Sequence, residues 1–345
     1  ALYLLSVLKK KTVVVVHKDF LMTQWRDRIL QFLPDARIGK IQQNTVDIEN
    51  KDIVLAMVQS LSMKEYPEGT FNSFGLVVFD ECHHLGAEVF QKSMSKVSSK
   101  YMLGLSATPK RKDGLSKVFE WFLGPIVFSQ TVKNKDYAEV QLIPFTSADE
   151  EYCKEELNFR KEPCMPKMIN NICSYKPRIE TIVSLVKKYR SEGRSILILS
   201  DRRGHLEEIY TLLSDYSRGY YVGGMKPQEL RDSQEKDILL ATFSMASEGM
   251  DIPKLDTVIL GSPKSDVEQS VGRVFRKKQC DRTFHPLIID IQDEFSMFMK
   301  QSQKRVTFYK KMNFTIFKEG EQIKKRNSSK KAESPVIPDF ALLDD

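Results

Sequence analysis

A chain of 345 residues with 41% hydrophobic and 29% charged content can bury two ordinary cores, which excludes a disordered or fibrous polymer. Its 53 Lys and Arg against 46 Asp and Glu leave a net charge of +7, which favours a polyanionic partner. The five cysteines (Cys82, Cys153, Cys164, Cys173, Cys280) include no CxxC pair and no zinc-type Cys/His spacing, predicting a reducing intracellular compartment, cytoplasm or nucleus, and no apolar run approaches the roughly 20 residues of a membrane span.

The opening ALYLLSVLKKK reads as a short helix with lysines in its last turn, where they complement the helix dipole. The β-branched run Thr12–Val16 predicts a buried parallel strand, and Leu21, Trp25, Ile29 and Phe32 then recur near helical spacing. Further strands are predicted at Ile53–Met57, Leu76–Phe79 and 101–105, so strand and helix alternate as in a doubly wound parallel sheet. Between about 128 and 176 the alternation fails in a charged stretch broken by Pro163 and Pro166, which reads as a linker or helical insertion. It resumes with a helix carrying Ile179, Ile182, Val183 and Val186, followed by strands at 195–199, 220–222, 237–241, Thr257–Leu260 and 287–291. Beyond Phe314 the chain is rich in charge and serine with little to bury, which predicts a disordered tail. There is no internal repeat.

The strongest local signal is Val77-Val78-Phe79-Asp80-Glu81-Cys82-His83-His84, an apolar strand ending in paired carboxylates. The carboxyl end of a parallel strand is where such sheets bind ligands. Nucleotide hydrolysis needs one carboxylate on a Mg²⁺ shell and a second group to position the attacking water, and Asp80 and Glu81 suit those roles. A solvated Asp-Glu pair at a strand end is the plainer alternative. In the second half, Gln269, Arg273 and Arg276 of Gln269-Ser270-Val271-Gly272-Arg273-Val274-Phe275-Arg276 fall at i, i+4 and i+7, on one face of a helix. A guanidinium fork of that kind can neutralise a transferring phosphate, though a basic helix face in a basic protein has the same pattern.

Asp80-Glu81-Cys82-His83 after its apolar strand resembles the box of the DExH helicases of superfamily 2. Leu105-Ser106-Ala107-Thr108-Pro109 resembles their Ser-Ala-Thr motif, and the stretch from Thr242 through Glu248-Gly249-Met250-Asp251-Ile252-Pro253 their motif V. The resemblance implies two RecA-like α/β domains with parallel sheets and an inter-domain ATP cleft. These would cover residues 1–130 and 176–314, with 131–175 as linker or insertion and 315–345 as tail. It implies ATP and Mg²⁺ as cofactors, with Asp80 holding the metal through water, and Gly249 and Asp251 facing the nucleotide. Arg273 and Arg276 would stabilise the γ-phosphate, His83 and Gln269 would couple the sites, and Ser106 and Thr108 would couple hydrolysis to domain movement.

By the same resemblance the nucleic-acid backbone would be contacted by Lys18, by Gln59 and Ser60, by Ser200 and Arg202, by Gly223 and Gly224, and by Thr242. Pro109-Lys110-Arg111-Lys112-Asp113-Gly114 is similar to the Arg-Glu-Asp element of the XPB-like branch, which includes large-DNA-virus members, with Lys112 replacing the central acid. That segment favours DNA over RNA. A DExH RNA helicase and a non-catalytic nucleic-acid-binding module remain as alternatives, and the Lys-rich tail is a candidate contact for nucleic acid or protein partners. No G-x-x-x-x-G-K-[ST] loop occurs, because Gly39-Lys40 lacks the upstream glycine and is followed by Ile41. The expectation is a chain cut after its phosphate loop, lacking the first strand of its first sheet and hydrolysing ATP poorly by itself.

Overall fold

The computed structural model describes residues 1–82, 87–106, 116–129, 138–250, 252–272, 283–318 and 320–322. The chain divides into two compact units, one of residues 1–133 with 244–251 and one of residues 134–243 with 252–345. The first part of the chain contains α1 (Leu2–Leu8), β1 (Thr12–Val16), α2 (Asp19–Phe32), β2 (Ile38–Gln42), β3 (Thr45–Asp47), β4 (Ile53–Met57), α3 (Val58–Met63), β5 (Leu76–Phe79), α4 (Ala87–Val97), β6 (Tyr101–Gly104) and α5 (Ser116–Leu123). Its sheet runs β3-β2-β4-β1-β5-β6, parallel throughout except for the β2–β3 hairpin. β1, Thr-Val-Val-Val-Val, is buried along its whole length because both faces of the sheet are covered. Val14 and Val16 pack with Leu5, Leu21, Met22 and Ile29 under α1 and α2, and Val13 and Val15 pack with Leu61, Met94 and Val97 under α3 and α4.

The second part continues with β7 (Glu139–Phe145), α6 (Glu150–Cys153), α7 (Met165–Ser174), α8 (Lys176–Ser191), β8 (Ile196–Ser200), α9 (Arg203–Leu212), β9 (Arg218–Tyr221), α10 (Pro227–Gln234), β10 (Ile238–Thr242), α11 (Phe243–Gly249), β11 (Thr257–Leu260), α12 (Glu268–Gly272), β12 (Leu287–Asp293), α13 (Ser296–Lys311), β13 (Thr315–Lys318) and β14 (Glu321–Gln322). These strands order as β14-β13-β7-β12-β11-β8-β10-β9, with only the β13–β14 pair antiparallel. The fold is therefore α/β with two parallel sheets, as the alternation predicts.

Three stretches differ from expectation. Residues 131–175, read as a linker, contain β7, which lies inside the second sheet between β12 and β13. Its alternating Val140 and Leu142 are buried, but Pro144 and the flanking charges mask the pattern. Residues 315–318, read as tail, form β13 because Ile316 is buried alongside β7. β2 and β3 escape notice because Gly39-Lys40 interrupts one and the other is exposed throughout.

Candidate functional site

Parallel register brings the carboxyl ends of the first sheet to one edge. Val16 lies opposite Met57, Val15 opposite Phe79, and Phe79 opposite Gly104. The residues that follow, His17-Lys18, Gln59, Asp80-Glu81 and Leu105-Ser106, therefore emerge side by side. Asp80 leaves β5 with its amide donating to Val15 O at 3.0 Å. One carboxylate oxygen accepts from the Trp25 indole at 2.7 Å and the other from the Glu81 amide at 3.0 Å. Glu81 sits in the left-handed region, at φ 46°, where a residue with a Cβ is uncommon. The Cys82 amide donates to Leu105 O at 3.1 Å and the Leu105 amide to Phe79 O at 2.8 Å, so the paired carboxylates and the Ser106 segment are tied by backbone bonds.

This junction is tight. A Cβ on Gly104 would stand 2.6 Å from a Leu123 methyl carbon, so any larger residue there displaces the end of the Leu123 side chain. Trp25 and Gly104 are the functional neighbours that motif reading misses. Trp25 reads as one more apolar helix position, and Gly104 as an unremarked strand residue.

The expected backbone-contacting residues behave unequally. Lys18 is half-buried at the N-cap of α2, and Gln59 is exposed with its amide donating to His17 O at 3.0 Å, so β1 and β4 loops are bridged. Ser60 is only 8% exposed and its hydroxyl accepts from the Gln43 amide, so it supports the β2–β3 hairpin. Ser106 is half-buried. His83 and Thr108 lie outside the described residues.

The second sheet repeats the arrangement: Thr242 lies opposite Ser200, Ala241 opposite Tyr221 and Leu260 opposite Leu199. Ser200 is fully buried, against the expectation that it touches nucleic acid. Its hydroxyl sits 3.0 Å from His205 Nδ1 and accepts from the Arg202 amide at 3.1 Å, shaping the loop from beneath. Burial, then the nearby Arg178 charge, pushes the His205 pKa down to about 3, so the imidazole is neutral. The Arg202 guanidinium donates to Pro166 O and the Asn170 side chain, fastening α7 to this loop. Lys264 pairs with Asp201 at 2.9 Å. Gly224 has φ +87°, and a Cβ added at Gly223 or Gly224 would meet nothing within 4 Å, so this turn borders open space. Thr242 and Gln269 are half-buried, and Gly249 ends α11. Arg273, Arg276 and Asp251 lie outside the described residues.

Two buried ion pairs support this edge, and no motif announces them. The fully buried Arg178 donates to Asp293 at 2.7 and 3.0 Å and to Gly261 O, and Tyr152 donates to the same carboxylate at 2.8 Å. Burial alone would lower the Arg178 pKa, but the Asp293 charge and its bonds outweigh it and hold it raised. Arg305 donates to Asp290 at 2.7–3.1 Å, with Tyr309 on the same carboxylate and Lys264 O on the other side of the guanidinium. Asp290 lies in the middle of β12 and Asp293 at its end, where a sequence reading sees only an apolar strand.

The family described as "Type III restriction enzyme, res subunit" matches residues 1–111, and "Helicase conserved C-terminal domain" matches residues 177–278. The two matches fall one in each half of the chain, and the second is a helicase domain. A mimivirus protein (Acanthamoeba polyphaga mimivirus) described as an ATP-dependent RNA helicase, L396, is 37% identical over 92% of this chain and 62% of its own length. QP509L of African swine fever virus, described in the same terms, is 26% identical over 92% of this chain and 67% of its own length, and helicase D10 of Escherichia phage T5 is 26% identical over 87% and 66%. Among solved structures, T4 UvsW is similar with a TM-score of 0.43 and 20% identity, over 90% of this chain and 67% of that one. The chain thus spans somewhat under two thirds of the mimivirus relative.

Proposed function

We propose that this chain is the motor core of an ATP-dependent nucleic-acid helicase or translocase. The observation that carries the reading is the shared sheet edge at which Asp80 and Glu81 stand beside Lys18, Gln59 and Ser106, backbone-bonded to the strand that ends in the Ser-Ala-Thr motif. Magnesium in such sites keeps most of its waters and needs only one or two carboxylates. Asp80 fits that demand: each of its oxygens is oriented by one N–H and retains a lone pair. When bound, the ion would neutralise charge on the β- and γ-phosphates.

In this reading Asp80 orients the metal's water shell and Glu81, displaced from ordinary backbone geometry, positions the attacking water. Arg273 and Arg276 spread the charge of the transferring phosphoryl group, Gly249 and Asp251 approach the nucleotide, and His83, Gln269, Ser106 and Thr108 link turnover to movement. Lys18, Gln59, Arg202, Gly223, Gly224 and Thr242 border the path of the strand, and backbone contacts of that kind carry no base information. The sequence encodes no phosphate-cradling loop, so ATP turnover by residues 1–345 alone is expected to be slow. β6, at the margin of the first sheet and only partly buried, is the edge at which a further parallel strand would add.

The descriptions of the mimivirus and swine fever virus relatives as RNA helicases favour RNA. The DNA reading rests on residues 109–114, outside the described residues apart from sequence. ATP turnover measured with single-stranded RNA, single-stranded DNA and duplex DNA separates them. Stimulation by RNA alone supports the first reading, stimulation by DNA supports the second, and binding of either without stimulation supports a non-catalytic module.

A further inference from the structure

Beside the Gly223-Gly224 turn lies a cavity of about 300 Å³ lined by Arg203, Leu206, Glu207, Tyr220, Val222, Met225 and Glu229. It is bounded by α9, the end of β9 and the segment leading into α10. That volume is at the small end of the roughly 300–1,000 Å³ typical of small-ligand sites, and the mix of apolar floor and a few polar groups is the usual composition of one.

Its aromatic wall is held in place. Tyr210 stacks on Tyr220 with ring centroids 4.2 Å apart and planes 17° from parallel, and the Arg218 guanidinium lies 4.1 Å from the Tyr210 centroid. Arg218 is itself fixed by a 2.7 Å bond to Ser214 O. A planar group entering the cavity would extend a stack that the protein has already built. The acids are equally specific in what they admit. Glu229 spends one oxygen on the Lys226 amide at 2.8 Å, leaving the other, and Glu207 is exposed on α9 at the rim. Two carboxylates against one guanidinium repel phosphate but accept from ring and exocyclic N–H groups.

We propose that this cavity receives one unstacked nucleobase of the bound strand, with Tyr220 as its stacking surface and Glu207 and Glu229 as acceptors for its N–H groups. The inference rests on the nucleic-acid reading above. It is joined to that reading by the adjacent glycine turn, which has open space where a side chain would stand and so lets the sugar-phosphate backbone pass outside the acidic cavity. Guanine presents a ring N–H beside an exocyclic amino group, and cytosine and adenine an exocyclic amino donor, whereas uracil and thymine offer one ring N–H flanked by two carbonyl oxygens that would face the carboxylates unfavourably.

The test is binding of short fluorescent single strands of cytidine, adenosine or uridine, and their deoxy counterparts, to the full chain. The unaltered protein should hold cytidine and adenosine strands several-fold tighter than uridine. Tyr220→Ala should weaken the cytidine and adenosine complexes by roughly 5- to 100-fold, as loss of one base–aromatic stack does. Tyr220→Phe should bind like the unaltered protein, and Glu207→Ala, on an exposed helix face, should erase the preference over uridine. Equal binding of all strands by the unaltered protein, or unchanged binding by Tyr220→Ala, would overturn the base pocket while leaving the motor reading intact. A protein that binds no strand of any base would overturn the nucleic-acid reading and this inference with it.

Discussion

The two sheet edges are built on different principles. In the first sheet the paired carboxylates project from the end of β5. Asp80 is held by the Trp25 indole and the neighbouring amide, and Glu81 is aimed by an uncommon backbone conformation. In the second sheet the corresponding edge is wired from below by the Arg178–Asp293 and Arg305–Asp290 pairs and by the Ser200–His205 contact, all buried. In the proposed reading, phosphate chemistry falls to the first edge and strand tracking to the second, whose loops keep their shape. A low-dielectric polar network, once fully bonded, rigidifies what it touches.

The comparison breaks first, and hardest, at Asp293. Asp293→Asn leaves Arg178 buried without its counter-charge, which costs about 3–5 kcal/mol. A fall in Tm on the order of 10 °C is expected for the transition of the second unit. An unchanged melting curve would show that the network is decorative. A smaller loss is expected at Trp25. Trp25→Phe keeps the apolar contact but removes a hydrogen bond to a charged carboxylate, worth about 1.5–3 kcal/mol. Because Trp25 acts through Asp80, ATP turnover should fall roughly tenfold with a higher Mg²⁺ requirement, whereas a purely structural role would move Tm and leave the Mg²⁺ titration alone.

The smallest effect is a pH dependence. His205 is buried neutral, with its folded pKa pushed down to about 3 from an unfolded value near 6.5. Between those values the unfolded chain binds the extra proton, so stability is full above about pH 6.5 and declines as pH falls. The slope is at most about 1.4 kcal/mol per pH unit. Thermal melts from pH 7.5 down to about 5 should show this decline, and His205→Gln should flatten it.

How much of this was legible in the sequence follows from what each residue does. β1, β4, β5 and β11 are read to the residue, because strands buried on both faces must be continuous apolar runs. β7 was missed because Glu139, Gln141 and Pro144 dilute its apolar positions, and only its pairing with β12 and β13 reveals it as core. At the site, Asp80 and Glu81 stand out because they end an apolar strand and are followed by Cys82-His83 in the pattern of the DExH box. A motif gives Ser60 and Ser200 a position along the chain but not the direction of a hydroxyl, and both hydroxyls turn inward. Trp25, Arg178 and Asp293 act through partners 55 and 115 residues away, and no local pattern encodes such distances.

The most direct measurement of the central claim is nucleic-acid-stimulated ATP hydrolysis with Glu81 and with Glu81→Gln. It is made on the longest polypeptide that carries this chain, because no phosphate-cradling loop is encoded between residues 1 and 345. The account predicts that the strand accelerates turnover and that Glu81→Gln lowers it by about 10²–10⁴-fold while ATP and nucleic acid still bind. Turnover that is equal in the two proteins, or absent in both with nucleic acid bound, would contradict the assignment of Glu81 and Asp80 as the hydrolytic pair.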